Sequence, residues 1–250
     1  MTNNNSLAFG ICLVVLAQST AALAQANSEQ WQYQLTPYIW ATTLKGDTGT
    51  TTPPSINEID ISFDDVLSNL DIAMLVNFRA NKGQWGANID TVYMNLSSSQ
   101  KNRISTIDID VKQTVFSASA FYQPANTAGL ELHVGARYVD LDNDIAIALH
   151  TPNTSTATVS PGDDWTEAFI GAKYSYSVSP KLDLIAYADF GGFSGKSDSM
   201  AQYLLAANYH LSNSFTLSGG YRIFDLDYND NNFVFDVKIE GLMIGAGFSF

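Results

Sequence analysis

The stretch GARYVDLD, Gly135–Asp142, decides the fold, because the chain writes it again as GYRIFDLD, Gly220–Asp227, 85 residues later. Within each copy neighbours alternate, so Gly and Arg share one side of the segment. Period-two alternation is the signature of a β-strand with two unlike faces. The question is what encloses the side that carries arginine.

The flanking segments answer it. After residue 27 helical periodicity is nearly absent, and alternating segments of 9 to 16 residues recur, rich in Tyr, Phe, Ile, Val and Ala. In DIAMLVNFRA-NKGQ-WGANIDTVYMNL a two-residue turn at Lys82-Gly83 pairs Asn81 with Gln84. Phe78, Val76, Met74 and Ile72 then face Ala87, Ile89, Thr91 and Tyr93, while Arg79, Asn77 and Leu75 face Gly86, Asn88 and Asp90. A turn at Ser179-Pro180-Lys181 sets Tyr176, Tyr174 and Ala172 against Leu184, Ala186 and Ala188. Lys173 then lies opposite Tyr187, and Gly171 opposite Asp189. A turn at Ser212-Asn213-Ser214 sets Tyr209, Ala207, Leu205 and Tyr203 against Leu217, Gly219, Tyr221 and Ile223. A wrong register would mix the faces. Each hairpin instead has one apolar, aromatic-ended face and one face of glycines and charges.

Of the four arginines, Arg79, Arg137 and Arg222 lie on the charged face. A soluble sandwich scatters charge on its exterior, whereas Gly packed beside Arg, Lys and Asp suits a crowded interior. Lipid outside and charge inside is the pattern of an all-β, transmembrane antiparallel up-and-down barrel. A strand of about ten residues, tilted near 40°, spans roughly 25 Å of hydrocarbon. The final segment GLMIGAGFSF keeps Leu242, Ile244, Ala246, Phe248 and Phe250 on one face, as a lipid-facing closing strand requires.

About ten strands are expected, over 30–44, 71–80, 84–97, 104–122, 130–142, 165–178, 182–190, 199–211, 215–227 and 233–250. Short turns and both chain ends then fall on one side, and longer connections at 45–70 and 143–164 on the other. NEIDISFDDVLSNLD, in the first of these, predicts a short strand and a helical turn through Asp64–Leu70 that caps or partly enters the lumen. Pro37 removes a ladder donor, which predicts a bulge or irregularity in the first strand. In the repeat, Gly135 and Gly220 leave room for a neighbouring arginine, and each Asp-Leu-Asp emerges at the outer rim.

Composition narrows the class. The chain has 250 residues and no apolar run of the ~20 residues that a membrane-spanning helix needs. LAFGICLVVLA followed by STAALAQA has the apolar core and small-residue cleavage site of a signal peptide, cut after Ala24 or Ala26. Residues 1–26 are therefore read as a signal for export through the Sec pathway, and 27–250 as one barrel domain. Cys12, the sole cysteine, falls in that signal, and Ile11 before it does not fit a lipid-attachment site. The mature chain then has no thiol for disulfides, zinc or nucleophilic catalysis. A net charge of -13 argues against nucleic acid as a partner and favours divalent cations or solvated carboxylates.

Together TPYIWATTLKGDTG, DISFDDVLSNLD, KGQWGANIDTVYMNL, EAFIGAKYSYSVSPKLDLIAYADFGGF and GYRIFDLDY resemble a widespread family of Gram-negative outer-membrane β-barrel proteins, over nearly all of residues 31–250. The resemblance implies a barrel in the cell outer membrane, among lipid and lipopolysaccharide. It also implies that Phe250, with Phe248, is the signal read by the barrel-assembly machinery. It carries over no substrate and no catalytic residue.

The lumenal charges are Arg79, Asp90, Glu131, His133, Arg137, Glu167, Lys173, Asp189 and Arg222. They either line a narrow, charge-selective pore or form a polar plug, since a barrel of about ten strands is narrow enough for side chains to fill. Enclosed charges must pair or keep water, and the register favours Lys173 with Asp189. The rim carboxylates are Asp140, Asp142, Asp144, Asp225, Asp227 and Asp230. DLDYND with Asp236 echoes a calcium loop, but the glycine needed at its sixth position is absent. Weakly held Mg²⁺ or Ca²⁺ shared with lipopolysaccharide, or plain solvated loops, are the other uses of this charge. His133 and His210 sit near the short-turn side, and His150 has no Ser or Asp fixed beside it, so neither an enzyme nor a cofactor is expected. The expected function is that of a structural barrel or a narrow passive channel for small solutes and ions. A surface-binding protein using acidic outer loops is the alternative.

Overall fold

The computed structural model describes residues 30–250 except 53, 102–104, 150–154, 161, 194–196 and 231. The segment read as a signal peptide, with Cys12, and His150 lie outside the described residues. The elements are β1 (Gln32–Thr51), β2 (Pro54–Ile61), α1 (Phe63–Ser68), β3 (Leu70–Lys82), β4 (Trp85–Lys101), β5 (Ser105–Tyr122), β6 (Leu130–Leu149), β7 (Ser155–Val159), β8 (Gly162–Ser179), β9 (Leu182–Gly191), β10 (Ser197–His210), β11 (Phe215–Asp230) and β12 (Phe233–Ser249).

Ten of the strands close an antiparallel ring in the order β1-β3-β4-β5-β6-β8-β9-β10-β11-β12, with β12 returning to β1. The last backbone groups close as well: Phe250 N–H donates to Tyr33 O at 3.0 Å, and Tyr33 N–H to Phe250 O at 3.1 Å. Closure matters because an open sheet edge in hydrocarbon leaves backbone donors and acceptors without partners, at several kcal/mol each. Strands β2 and β7 lie off the ring, paired to the outer ends of β1 and β6.

Two hairpin registers coincide with those read from the sequence: Tyr176↔Leu184 with Ala172↔Ala188, and Tyr209↔Leu217 with Tyr203↔Ile223. The β8–β9 turn is shorter than expected, because a register shift between Ser177 and Ser179 reduces it to Pro180-Lys181. The β3–β4 hairpin is displaced by two residues. Lys82 pairs with Trp85, so the turn is Gly83-Gln84 and Phe78 meets Ile89 rather than Ala87. Gly83 adopts φ 58°, which the first turn position demands and glycine supplies without strain. A slide of two residues keeps every side chain on its own face, so the face assignment is unaffected.

The long outer connections are mostly strand. Residues 45–51 continue β1, 143–149 continue β6, and β2 and β7 fold back on them. Helix α1 begins at a capping box: Ser62 Oγ accepts from Asp65 N–H at 3.3 Å, and Asp65 Oδ2 accepts from Ser62 N–H at 3.2 Å. None of its residues is buried. It is therefore not packed inside the lumen, which removes one of the two expectations for this segment, entry, and leaves the other, capping.

Pro37 produces the local irregularity expected of it, without a bulge. The β1–β12 ladder passes over Thr36 and Pro37 and resumes at Tyr38↔Gly245 with its register unchanged. The β1–β3 ladder instead ends at Pro37↔Val76. From there Tyr38–Thr43 is laddered on the β12 side only, and β2 takes up the other edge at Leu44. Asp71, Ile72, Ala73 and Met74 of β3 are consequently exposed on both faces. The missing proline N–H explains the gap on the β12 side, because Tyr33, in the same phase, exchanges both backbone bonds with Phe250 at the end of β12. Pro37→Thr should close the gap in the β1–β12 ladder and slow amide exchange at Ala246, which faces position 37 in that register. Exchange as fast as in the parent protein would place the cause elsewhere.

Candidate functional site

All nine charged residues of the lumenal set project to the barrel interior. Arg137 is 1% exposed, and Glu167 and Asp189 are 0% exposed. Arg137, on β6, grips both oxygens of Asp189, on β9, at 3.1 and 2.8 Å, and its Nε donates to Ser117 Oγ at 2.9 Å. Arg79, on β3, does the same to Glu131, on β6, at 2.9 and 2.8 Å. Arg222, on β11, reaches Asp90, on β4, at 3.2 Å and donates to the Tyr38 hydroxyl at 3.0 Å. Its Nε donates to Gln202 Oε1 at 2.9 Å. Asp189 also accepts from Tyr187 at 2.7 Å and from Gln202 Nε2 at 3.1 Å. Glu167 accepts from the Ser197 N–H at 2.8 Å. His133 Nδ1 meets Ser119 Oγ at 3.2 Å, and its Nε2 lies 3.4 Å from Glu131.

The expected pair of Lys173 with Asp189 does not form. Lys173 Nζ lies 3.0 Å from Glu131, its direct partner across β6–β8. A directly opposed side chain is nearer than a diagonal one, and the planar fork of Arg137 takes Asp189 with two parallel bonds that an ammonium cannot match. The glycines of the repeat make room for something other than arginine. A Cβ on Gly135 would fall 2.7 Å from Phe169 Cζ, and the Arg137 guanidinium rides 4.9 Å above that ring. A Cβ on Gly220 would fall 2.5 Å from Leu205 O of the neighbouring strand.

The interior has two unlike halves. Toward the short-turn end, where β1 begins and β12 ends, it opens into a cavity of about 230 Å³, reaching from Arg222 and Arg137 to Gln34, Asn208 and Ser218. Beyond the charges, toward the outer end, apolar side chains fill it. Trp40, Val92, Met94, Val139, Leu141, Trp165, Phe224, Leu226, Tyr228, Phe235, Val237 and Ile239 pack there in one buried apolar cluster. Trp165 stacks on Tyr228 at 3.9 Å, and the Tyr228 hydroxyl donates to Asp163 across the interior at 2.6 Å. This plug is absent from the sequence reading. Its signal was nevertheless there, in the inward-phase apolar residues Phe233, Phe235, Val237 and Ile239 of β12.

The outer wall inverts at the same level. On β6 the outward residues run Leu132, Val134, Ala136, Tyr138 and then Asp140, Asp142. On β11 they run Leu217, Gly219, Tyr221, Ile223 and then Asp225, Asp227. On β12 they run from Phe248 through Ile244 and Leu242 to Glu240 and Lys238. Apolar outside with charge inside gives way to charge outside with apolar inside, which is the passage of a closed barrel out of hydrocarbon into water. The chain is a transmembrane β-barrel. No family model and no curated protein matches it. Among solved structures, this barrel is similar to the outer-membrane protease OmpT of Escherichia coli, at 9% identity over 88% of this chain and 96% of that one, with TM-score 0.49. It is also similar to the translocator domain of the autotransporter NalP from Neisseria meningitidis, at 11% identity over 91% of each chain and TM-score 0.41. Ail, the attachment invasion locus protein of Yersinia pestis, aligns at 12% identity over 89% of this chain and 99% of that one, with TM-score 0.35.

Asp140, Asp142, Asp144, Asp225 and Asp227 of the rim set lie on the outward face, in two separate groups. Asp140 stands opposite Asp164. Burial, then the charges of Asp164 and Asp142, raise its carboxyl above the usual carboxylate range. Asp142 stands opposite Lys112, and Asp144 accepts from Ser160 Oγ at 2.6 Å. Asp225 stands opposite Lys238 and Asp227 opposite Asp236. Strands β8, β9 and β10 separate the β6 group from the β11 group, so the two Asp-Leu-Asp copies are not brought together. Asp230 closes β11 at its pairing with Phe233. Among the described residues, no cluster of three or more His, Cys, Asp or Glu is placed to hold a metal ion.

At the short-turn end His210 Nε2 lies 2.8 Å from Asp183 and its Nδ1 lies 2.9 Å from Thr216 Oγ1. This is the order of a hydrolytic relay, but Thr216 is only 4% exposed and its hydroxyl is closed to a substrate. The trio ties β9, β10 and β11 together. Of the polar groups that complete the interior, Tyr38, Tyr187, Gln202 and Ser117 were not singled out in the sequence. They share the arginines' phase, and only the folded barrel assigns their partners.

Removing Arg137 alone strands the buried carboxylate of Asp189. Arg137→Met should therefore lower the unfolding free energy in urea by about 3–5 kcal/mol, and Arg137→Met with Asp189→Leu should regain most of it. Equal losses in the single and double variants would show that the pair is not what that arginine contributes.

Proposed function

We propose that this protein is a closed structural barrel of the outer membrane, and that it conducts no solute from one side to the other. The apolar plug carries the reading. A hydrated ion crossing that segment would shed its water among mostly apolar side chains, with few polar groups such as Gln113 to replace it, at a cost far above thermal energy. Opening the plug would expose side chains whose burial stabilises the fold by about 1.5–3 kcal/mol each. Export through the Sec pathway, insertion by the barrel-assembly machinery and an environment of lipid and lipopolysaccharide belong to the same reading, which assigns the chain no catalytic step. A second reading, a surface-binding role, is favoured by Ile56, Ile61 and Leu67. They stand exposed on β2 and α1, in an outer segment that also carries Glu58, Asp60 and Asp64.

In planar bilayers the folded protein should show no open-channel current, and a variant with Trp165→Ala, Leu226→Ala and Val237→Ala together should leak ions. A steady single-channel conductance in the unaltered protein would remove the closed-barrel reading. Phe250 is 73% exposed and stacks on Tyr33 at 5.7 Å. Phe250→Ser, which keeps the backbone ladder, should reduce insertion in cells several-fold while leaving refolding in detergent unchanged. Equal losses in both assays would make that side chain structural instead of a signal.

A further inference from the structure

We propose that the cavity on the short-turn side binds a neutral, hydroxyl-rich solute of monosaccharide size. The inference goes beyond the closed-barrel reading and does not depend on the plug. Size comes first. At about 230 Å³ the cavity falls below the roughly 300 Å³ at which sites for drug-sized ligands begin.

Charge comes second. Around the cavity stand the cations Arg79, Arg137, Lys173 and Arg222, with Asp90, Glu131 and Asp189 as their carboxylate partners. Arg79 and Arg137 are each held by both oxygens of their partner, and Arg222 is shared among Asp90, Tyr38 and Gln202. A charged solute would have to break one of these arrangements and leave a buried group unpaired, which costs more than the new contact returns.

The groups that remain available are neutral. Gln34, Thr36, Asn88, Asn208 and Ser218 line the cavity, and their side chains make no hydrogen bond among the described residues. Amides and hydroxyls each offer a donor and an acceptor together. A vicinal hydroxyl pair offers the same combination, so each can serve the other twice. Ile185, Leu204 and Met243 supply apolar wall for the C–H face of a sugar ring. Such a mixture, a mostly formed cavity with a few convergent polar groups, is how small-molecule sites are built. Lys173 is the most exposed of the four cations, at 21% for its side chain. A sugar acid is therefore the rival ligand.

The test uses the full chain folded in a phosphocholine detergent, which has no sugar headgroup to compete, with saturation-transfer NMR and calorimetry. The probes are D-glucose, D-galactose, D-glucuronate and succinate. Binding of the neutral hexoses, weakened about fivefold by Asn88→Leu and again by Asn208→Leu, is the expected result. The lipid-face control Ala186→Leu should bind as the unaltered protein does. Should either Leu variant lose its heat-modifiable mobility, Asn88→Ser and Asn208→Ser replace them. The proposal is overturned if no hexose binds to folded protein, if the Asn variants bind as tightly as the unaltered protein, or if glucuronate or succinate binds better than glucose.

Discussion

Everything in this molecule depends on the need to pair charge that a barrel wall has cut off from water. Arg137 with Asp189, Arg79 with Glu131 and Arg222 with Asp90 each join strands that are not neighbours in the ring. An arginine alone in such a space would be ruinously desolvated, and the same residue held by both oxygens of a carboxylate is tolerated. These ties cross the interior between strands two, three and four places apart in the ring, so they hold the curl of the wall as well as the charge balance. They also explain the glycines beside them. Gly135 lets the Phe169 ring lie flat under Arg137, and a methyl group there would collide with it.

The change of polarity at one level divides the barrel into two machines built from the same strands. In the membrane the wall presents Leu, Ile, Val and Ala to lipid and keeps polar groups inside. Past the level of Asp140 and Asp225 the strands continue in water, and the interior becomes the apolar core of a small soluble barrel. Gly-x-Arg-x-x-Asp-Leu-Asp is the sequence of that crossing. Its Arg belongs to the enclosed polar half, its Leu to the apolar half and its two Asp to the solvated exterior. This is why the chain writes it twice, on two strands that run outward through the same level.

Most of the wall was legible from the sequence, and the interior was legible only in part. The β8–β9 and β10–β11 registers follow from turns of known type and from keeping one face apolar. The β3–β4 register was displaced because either side of Gly83 offers an allowed two-residue turn, and both choices keep the faces intact. The short strand and helical turn of the 45–70 segment were legible, but whether it caps or enters the lumen was not, since nothing local says that the lumen is already full at that end. The partner of Lys173 was missed for a related reason. Faces follow from alternation, but which charges meet across the interior depends on how far the whole sheet curls.

By itself, the sequence determined the strand-by-strand alternation, the facing of the arginines and the class of fold, because those follow from a period of two and from the cost of charge in hydrocarbon. Only the tertiary structure decided that the outer half is packed shut, that the open half holds amides and hydroxyls with bonds to spare, and that the two Asp-Leu-Asp segments stand apart. Each of these depends on closure, which brings together side chains more than a hundred residues apart, and no local pattern records that distance. Tyr38 and Arg222 meet because the first and last strands of the ring join.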